Sequence, residues 1–170
     1  MTQTLPPVDG LPYRACVGVM LLNAENRIWI GRRIPKLHDE TLNAALWQMP
    51  QGGMDAGEDP RDAAFRELME ETGVSSAEII DQTNDWLTYD LPPHLVGRAL
   101  KGRYRGQKQK WFAMRFTGEE SEINIAPPVD EAPEFDAWKW ADRDEVLASI
   151  VSFKREVYEQ VLARFSTHCL

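Results

Sequence analysis

Three glutamates, Glu67, Glu70 and Glu71, follow one another at i, i+3 and i+4. On a helix turning about 100° per residue they share one face roughly 100° wide, so their carboxylates are expected to converge. Left alone they repel: like charges at i, i+4 lose about 0.2–0.5 kcal/mol per pair. Glu70 and Glu71 also fall in the last turn, where the helix dipole disfavours negative charge. A divalent cation reverses that sign. Several carboxylate oxygens, with water and phosphate completing an octahedron at about 2.0–2.1 Å, are what Mg²⁺ accepts. The alternative is a plain solvated acidic face. Two neighbours favour the metal: a glycine-rich loop delivers Glu58 to the start of the same helix, and Arg66 lies beside the cluster.

The helix that carries these acids has both ends written in the sequence. Asp59 is a good N-cap, Pro60 falls at the first helical position, Asp62 resembles the far member of a capping box, and Gly73 fits the left-handed position past the end. The helix is therefore predicted from about Pro60 to about Thr72. Phe65, Leu68 and Met69 are expected to face the core, with Ala63 and Ala64 flanking the acidic face and keeping it open to a ligand. Apolar alternation predicts strands near 14–22, 27–31, 46–49, 77–82, 86–90, 109–117 and 135–141. Further helices are predicted near 142–149 and 152–166, the second with Phe153, Val157, Tyr158, Val161, Leu162 and Phe165 at helical spacing. Strands with helices on both sides read as an α/β protein, an α/β/α sandwich around a mixed β-sheet. The polar stretch Pro35 to Ala45 reads as a loop that either overhangs the site or is plain surface.

At 170 residues the chain has the length of one domain, 1–170, with residues 1–12 expected to form a flexible N-terminal segment. Residues 1–12 carry no basic region followed by an apolar one, and no run approaches the roughly 18 apolar residues of a membrane span, so a cytoplasmic protein is expected, most simply a monomer. Cys16 and Cys169 form neither a disulfide framework nor a metal spacing and read as free thiols. His38, His94 and His168 are scattered and read as loop or terminal residues.

The pattern Gly52, five residues, Glu58, seven residues, Arg66-Glu67-Leu68, one residue, Glu70-Glu71, one residue, Gly73-Val74 resembles the Nudix box of the Nudix hydrolases at every defined position. The resemblance implies the Nudix fold and hydrolysis of a nucleoside diphosphate linked to another moiety. It implies that Glu67, Glu70 and Glu71 bind a divalent metal, Mg²⁺ or alternatively Mn²⁺, that Arg66 orients a carboxylate, that Glu58 supports the metal site, and that the Gly52 carbonyl is a further ligand.

The chain has a net charge of −8, yet between Leu91 and Thr117 there is no acid, while Arg98, Lys101, Arg103, Arg105, Lys108, Lys110 and Arg115 are all basic. A local basic patch on an acidic protein suits a polyanion that must approach metal-loaded carboxylates; the alternative is a merely soluble loop. Trp86, Tyr89, Tyr104 and Trp111 are interleaved with or border these charges, and one or two of them are candidates for base stacking.

Beyond the box, Tyr13-Arg14, Trp47-Gln48-Met49-Pro50-Gln51-Gly52-Gly53, Asn84-Asp85-Trp86-Leu87, Gly106 to Phe112, Glu122-Ile123-Asn124, Pro133-Glu134-Phe135-Asp136 and Val151 to Arg155 resemble the bacterial RNA pyrophosphohydrolase branch, also described as dinucleoside polyphosphate hydrolases. This branch implies Mg²⁺-dependent removal of phosphate from the 5′-triphosphate end of RNA, leaving a 5′-monophosphate that exposes the transcript to a downstream endonuclease. By position, Glu122 becomes a further catalytic or metal carboxylate from a loop. Arg14, Arg33, Lys108, Lys110 and Lys154 become phosphate contacts, with Val151 and Phe153 near the base and Tyr89 on the substrate side. Ala15-Cys16 departs from the Pro-Asn expected after Tyr-Arg, and the 35–45 loop is longer than in the enterobacterial pattern. Three functions follow: an RNA 5′-pyrophosphohydrolase, a dinucleoside tetraphosphate hydrolase, or a catalytically silent nucleotide sensor on the same scaffold.

Overall fold

A computed structural model describes residues 10–34, 46–126 and 132–170. The 35–45 loop and most of the N-terminal segment lie outside the described residues. Eight strands form one sheet: β1 (Tyr13–Leu22), β2 (Ile28–Arg33), β3 (Trp47–Gln48), β4 (Gln51–Gly53), β5 (Ala77–Gln82), β6 (Leu87–Asp90), β7 (Gly106–Phe116) and β8 (Phe135–Ala141). Among the described residues three α-helices complete the architecture: α1 (Pro60–Thr72), α2 (Arg143–Ser149) and α3 (Arg155–Arg164). β1 and β7 run parallel over their length, from Tyr13 opposite Gly106 to Leu22 opposite Arg115, and the remaining pairings are antiparallel. The sheet is therefore mixed, as expected.

Alternation along the two central strands builds a core on each face. Val17, Val19 and Leu21 of β1 and Phe112, Met114 and Phe116 of β7 pack with Ala63, Ala64 and Leu68 of α1. Met20 and Leu22, with Trp111 and Ala113, pack on the opposite face with Val146 of α2 and Val157, Tyr158, Val161 and Leu162 of α3. This is the α/β/α sandwich.

β1 is shared by two partners on one side. Cys16–Gly18 pair with Gly53–Gln51 of β4, while β2 reaches β1 only where Leu22 meets Ile28. The split brings β4, a short strand absent from the sequence reading, beneath α1. Of Phe65, Leu68 and Met69, all expected to face the core, α1 buries Leu68 alone. Ala63, Ala64, Leu68 and Thr72 are buried, whereas Phe65 and Met69 are 37% and 52% exposed. Small side chains let the helix approach the sheet closely, and that contact overrides the bulk of Phe65 and Met69.

Candidate functional site

The ends of α1 are held by the expected caps. Asp59 accepts from the Arg61 N–H at 2.9 Å, Pro60 starts the helix, and Gly73, at φ 74°, donates its N–H to Met69 O. This fixes where each glutamate of the helix points.

Arg66 organises the outer part of the acidic cluster. Its Nε and Nη2 donate to the two oxygens of Glu58, each at 2.8 Å, a bidentate pair. Nη1 donates to Glu67 Oε1 (3.0 Å) and Glu70 Oε2 (3.2 Å), and Nη2 to the Gly53 carbonyl (2.9 Å). The Arg66 hydrogen bonds, with one from the Asp55 N–H, hold the Glu58 carboxyl down at about 2. The role implied for Arg66, orienting a carboxylate, extends here to three.

Glu67 and Glu71 face inward. The carboxylate of Glu67 lies so close to Gly52 that a Cβ there would sit 2.1 Å from it, so only glycine permits this approach. Burial raises the Glu67 carboxyl above its ordinary range, against the opposing pull of Arg66. Glu71 accepts from the Gln51 N–H at 3.2 Å, and burial, then the charges of Glu134 and Glu67, push its carboxyl well above the ordinary range. Glu70 lies outside, with its side chain 53% exposed and turned to Arg66. Glu67 thus stands between the other two: it shares Arg66 Nη1 with Glu70 and the cavity with Glu71, which turns to the β4 backbone. Among the described residues, no three carboxylate, imidazole or thiol groups stand together as a metal cluster.

A cavity of about 300 Å³ opens where Glu67, Glu71 and Gly52 meet the sheet. Arg14 of β1, Arg33 of β2, and Lys154 from the 3₁₀ turn Ser152–Lys154 line it, as do Tyr89 and Phe153, whose ring centroids are 5.7 Å apart. Lys154 is only 7% exposed and its Nζ lies 3.4 Å from Gln48 Oε1. Burial, then the neighbouring charge of Arg33, brings its amine down to about 7.

Glu134 also lines the cavity, 3.5 Å from Arg33 Nε and close enough to raise Glu71. No local spacing assigns it a role, although it stands in the segment Pro133 to Asp136, just before β8. Glu122, the loop carboxylate expected instead, is absent from the cavity lining. It accepts from the Ser75 and Ser76 N–H groups (2.9 and 3.0 Å), and these bonds, that of Ser75 first, lower its carboxyl. It secures the turn after α1.

Lys108 and Lys110 are also outside the cavity lining. They project from the opposite face of β7, where their ammonium groups stand 4.8 and 5.1 Å from the Trp86 ring. Val151 packs against the α2–α3 side of the core. The basic stretch as a whole is divided rather than a single patch. Arg105 pairs with Asp90 at 3.0 Å, and Arg115 donates to the Asn23 carbonyl.

An oxygen-only donor set suits a hard divalent cation. Glu67, Glu71 and Glu134 crowd negative charge into one cavity, and the Gln51 Oε1 nearby is buried without a partner among the described residues. The residues present therefore fit such an ion.

Residues 12–161 match the NUDIX domain. The chain belongs to the NUDIX family. Among curated relatives of this NUDIX protein, the RNA pyrophosphohydrolase of Brucella ovis is 58% identical over 159 residues, 92% of this chain and 89% of that protein. The RNA pyrophosphohydrolase of Brucella anthropi is 56% identical over 169 residues, 97% of each. Among solved structures, the E. coli dihydroneopterin triphosphate pyrophosphohydrolase superposes with a TM-score of 0.64 at 22% identity, covering 89% of this chain and 98% of that one. A C. elegans Ap4A hydrolase binary complex gives 0.61 at 15% identity, covering 91% and 98%. These two likenesses show the NUDIX fold. Among the described residues no helix is long and apolar enough to cross a membrane.

Proposed function

We propose that this NUDIX protein is an RNA 5′-pyrophosphohydrolase that hydrolyses the 5′-triphosphate end of RNA to a 5′-monophosphate in the cytoplasm, so that a downstream endonuclease can act on the transcript. The observation that carries the reading is the composition of the cavity beside α1: three carboxylates face three cations beside an aromatic pair. Names shared by relatives that align over nearly the whole chain support the same substrate.

Glu67 and Glu71, with Glu70, Glu58 and the Gly52 carbonyl as the family resemblance implies, would hold Mg²⁺ or Mn²⁺. Such an ion neutralises charge on the phosphate oxygens and makes a bound water more acidic. Arg14, Arg33 and Lys154 grip the phosphates and bring the chain's end to the carboxylates. Tyr89 and Phe153 hold a base. Glu134 is the carboxylate placed to take a proton from water, being in the cavity and outside the Arg66 cluster. Arg66 keeps Glu58, Glu67 and Glu70 oriented.

The deciding experiment is a side-by-side kcat/KM on a 5′-labelled triphosphorylated transcript and on diadenosine tetraphosphate, with Mg²⁺. Preference for the transcript, with pyrophosphate or single phosphates released, is the expected result. Preference for the dinucleotide would install the second reading, a dinucleoside polyphosphate hydrolase, which the single aromatic pair also accommodates. Absence of phosphate release from both would point to the nucleotide sensor.

A further inference from the structure

β7 carries a chain of three side chains that decides which end of an amide faces the cavity. The indole Nε1 of Trp111 donates to Gln109 Oε1 at 2.9 Å, and Gln109 Nε2 donates to Gln107 Oε1 at 2.8 Å. Trp111 and Gln109 are 0% and 1% exposed, so water does not compete for these bonds. An indole nitrogen can only donate. Gln109 must therefore turn its oxygen to Trp111, which commits its NH₂ to Gln107, and Gln107 must meet that group with its own oxygen. The end of the Gln107 amide turned away from Gln109 is then its NH₂.

Gln107 lines the carboxylate cavity, and its NH₂ donates to no group among the described residues. It stands in register between Arg14 of β1 and Tyr89 of β6. Side chains of residues directly opposite across a sheet share a face, so the free donor lies between a phosphate-binding cation and the ring that would hold a base.

We propose that Gln107 is a specificity-determining donor for the base of the bound nucleotide, and that Gln109 and Trp111 are positioning residues that lock its amide in that sense. The inference rests on the nucleotide reading above. A base edge presenting a carbonyl oxygen gains a hydrogen bond. One presenting an amino group meets N–H with N–H and leaves both unpaired. A ribose hydroxyl in the same place would be indifferent to the base.

The test uses triphosphorylated RNAs that differ only in adenosine or inosine, a 6-amino or a 6-oxo purine, at the first or second nucleotide. The wild-type protein is expected to favour inosine by about fivefold or more in kcat/KM at the position whose base reaches the cavity. Gln107→Glu keeps the bond from Gln109 and turns an acceptor to the cavity, so the ratio should reverse. Gln109→Glu never touches substrate, yet it should reverse the ratio too: its carboxylate accepts from Trp111 and offers Gln107 only an acceptor, forcing the Gln107 oxygen outward. Taking the ratio within each variant cancels repulsion from the added charge. Thermal melts report folding, and if Gln109→Glu fails to fold, Trp111→Phe frees Gln109 to turn and should bring the ratio to about one. A wild-type ratio near one at both positions, or one that Gln107→Glu leaves unchanged, would overturn the inference. Reversal by Gln107→Glu with no response to changes at 109 or 111 would overturn the relay. If the wild-type protein releases no phosphate from either RNA, the hydrolase reading fails by itself, and the same ratio taken from dissociation constants decides the inference.

Discussion

The cations around the carboxylate cavity and those on the opposite face of β7 carry the same charge under different physical terms. Lys154 is buried, and removal from water brings its amine down to about 7. Lys108 and Lys110 are half-buried against Trp86 and have no carboxylate partner among the described residues. A desolvated cation costs stability and binds phosphate strongly, whereas a solvated one costs little and is screened within about 10 Å at 0.1 M salt. The buried cations of the cavity thus suit tight, short-range contact with an anion, whereas those on the other face would act weakly and with a strong dependence on salt. The period-2 alternation of β7 turns Lys108 and Lys110 away from the cavity that Gln107 lines.

The strongest test of the cavity is Glu71→Gln. Activity should fall by orders of magnitude, measured as kcat at saturating substrate. Stability in the presence of a chelator should move the other way. The folded-state carboxyl is raised, so wild-type stability is full below the ordinary carboxyl range and is lost as pH rises toward the raised value. The variant lacks that loss and should melt higher than the wild type at pH 7–8, and a lower melting temperature would show that the charge is not under strain there.

Glu134 and Glu122 provide the next comparison. Glu134→Gln should lower kcat by about 10²–10⁴-fold, the usual range for a proton-transferring group. Glu122→Gln should leave kcat near the wild-type value and destabilise the turn at Ser75–Ser76. Because the Glu122 carboxyl is lowered, its contribution is present above the ordinary carboxyl range and lost as pH falls through the lowered value. The melting difference between Glu122→Gln and wild type should therefore shrink on acidification. The opposite assignment of kinetic loss would return the catalytic role to Glu122.

Lys154→Met should separate binding from folding. Loss of a charged hydrogen-bond donor of about 1.5–3 kcal/mol predicts roughly a tenfold to hundredfold weaker kcat/KM. The unfolded chain binds the lysine proton up to the ordinary amine range while the folded one releases it near 7, so wild-type stability rises with pH between those limits. Melting curves of Lys154→Met should lose that rise and lie above the wild type at pH 7.

These contrasts also show what could be read before the fold was known. The limits of α1 were legible because Asp59, Pro60 and Gly73 act on their immediate neighbours. The places of β1 and β7 were legible from the apolar residues near 14–22 and 109–117. The buried face of α1 was not, since Ala63 and Ala64 are chosen by the closeness of the sheet and carry little hydrophobic signal of their own. Glu134 was hidden for a different reason. It reaches the cavity because β8 pairs with β2 and brings it to Arg33, a contact between distant segments that no local spacing encodes. Glu122, in contrast, stands in an acidic run whose local use, accepting from the backbone after α1, has the same sequence appearance as a metal ligand.

The smallest effect is expected from Lys108→Ala combined with Lys110→Ala. If the outer face of β7 attracts the RNA chain, removing both charges should weaken binding of a long triphosphorylated RNA severalfold. It should reduce the slope of log affinity against log salt by roughly 0.7 per lysine, the value for a single strand. A mononucleoside or dinucleoside polyphosphate, too short to leave the cavity, should bind as before. Equal losses for short and long ligands would mean that the two lysines reach into the cavity and that the two faces are one site. No loss for either would leave Trp86 and its lysines as a packing arrangement, with the phosphate-binding charge confined to Arg14, Arg33 and Lys154.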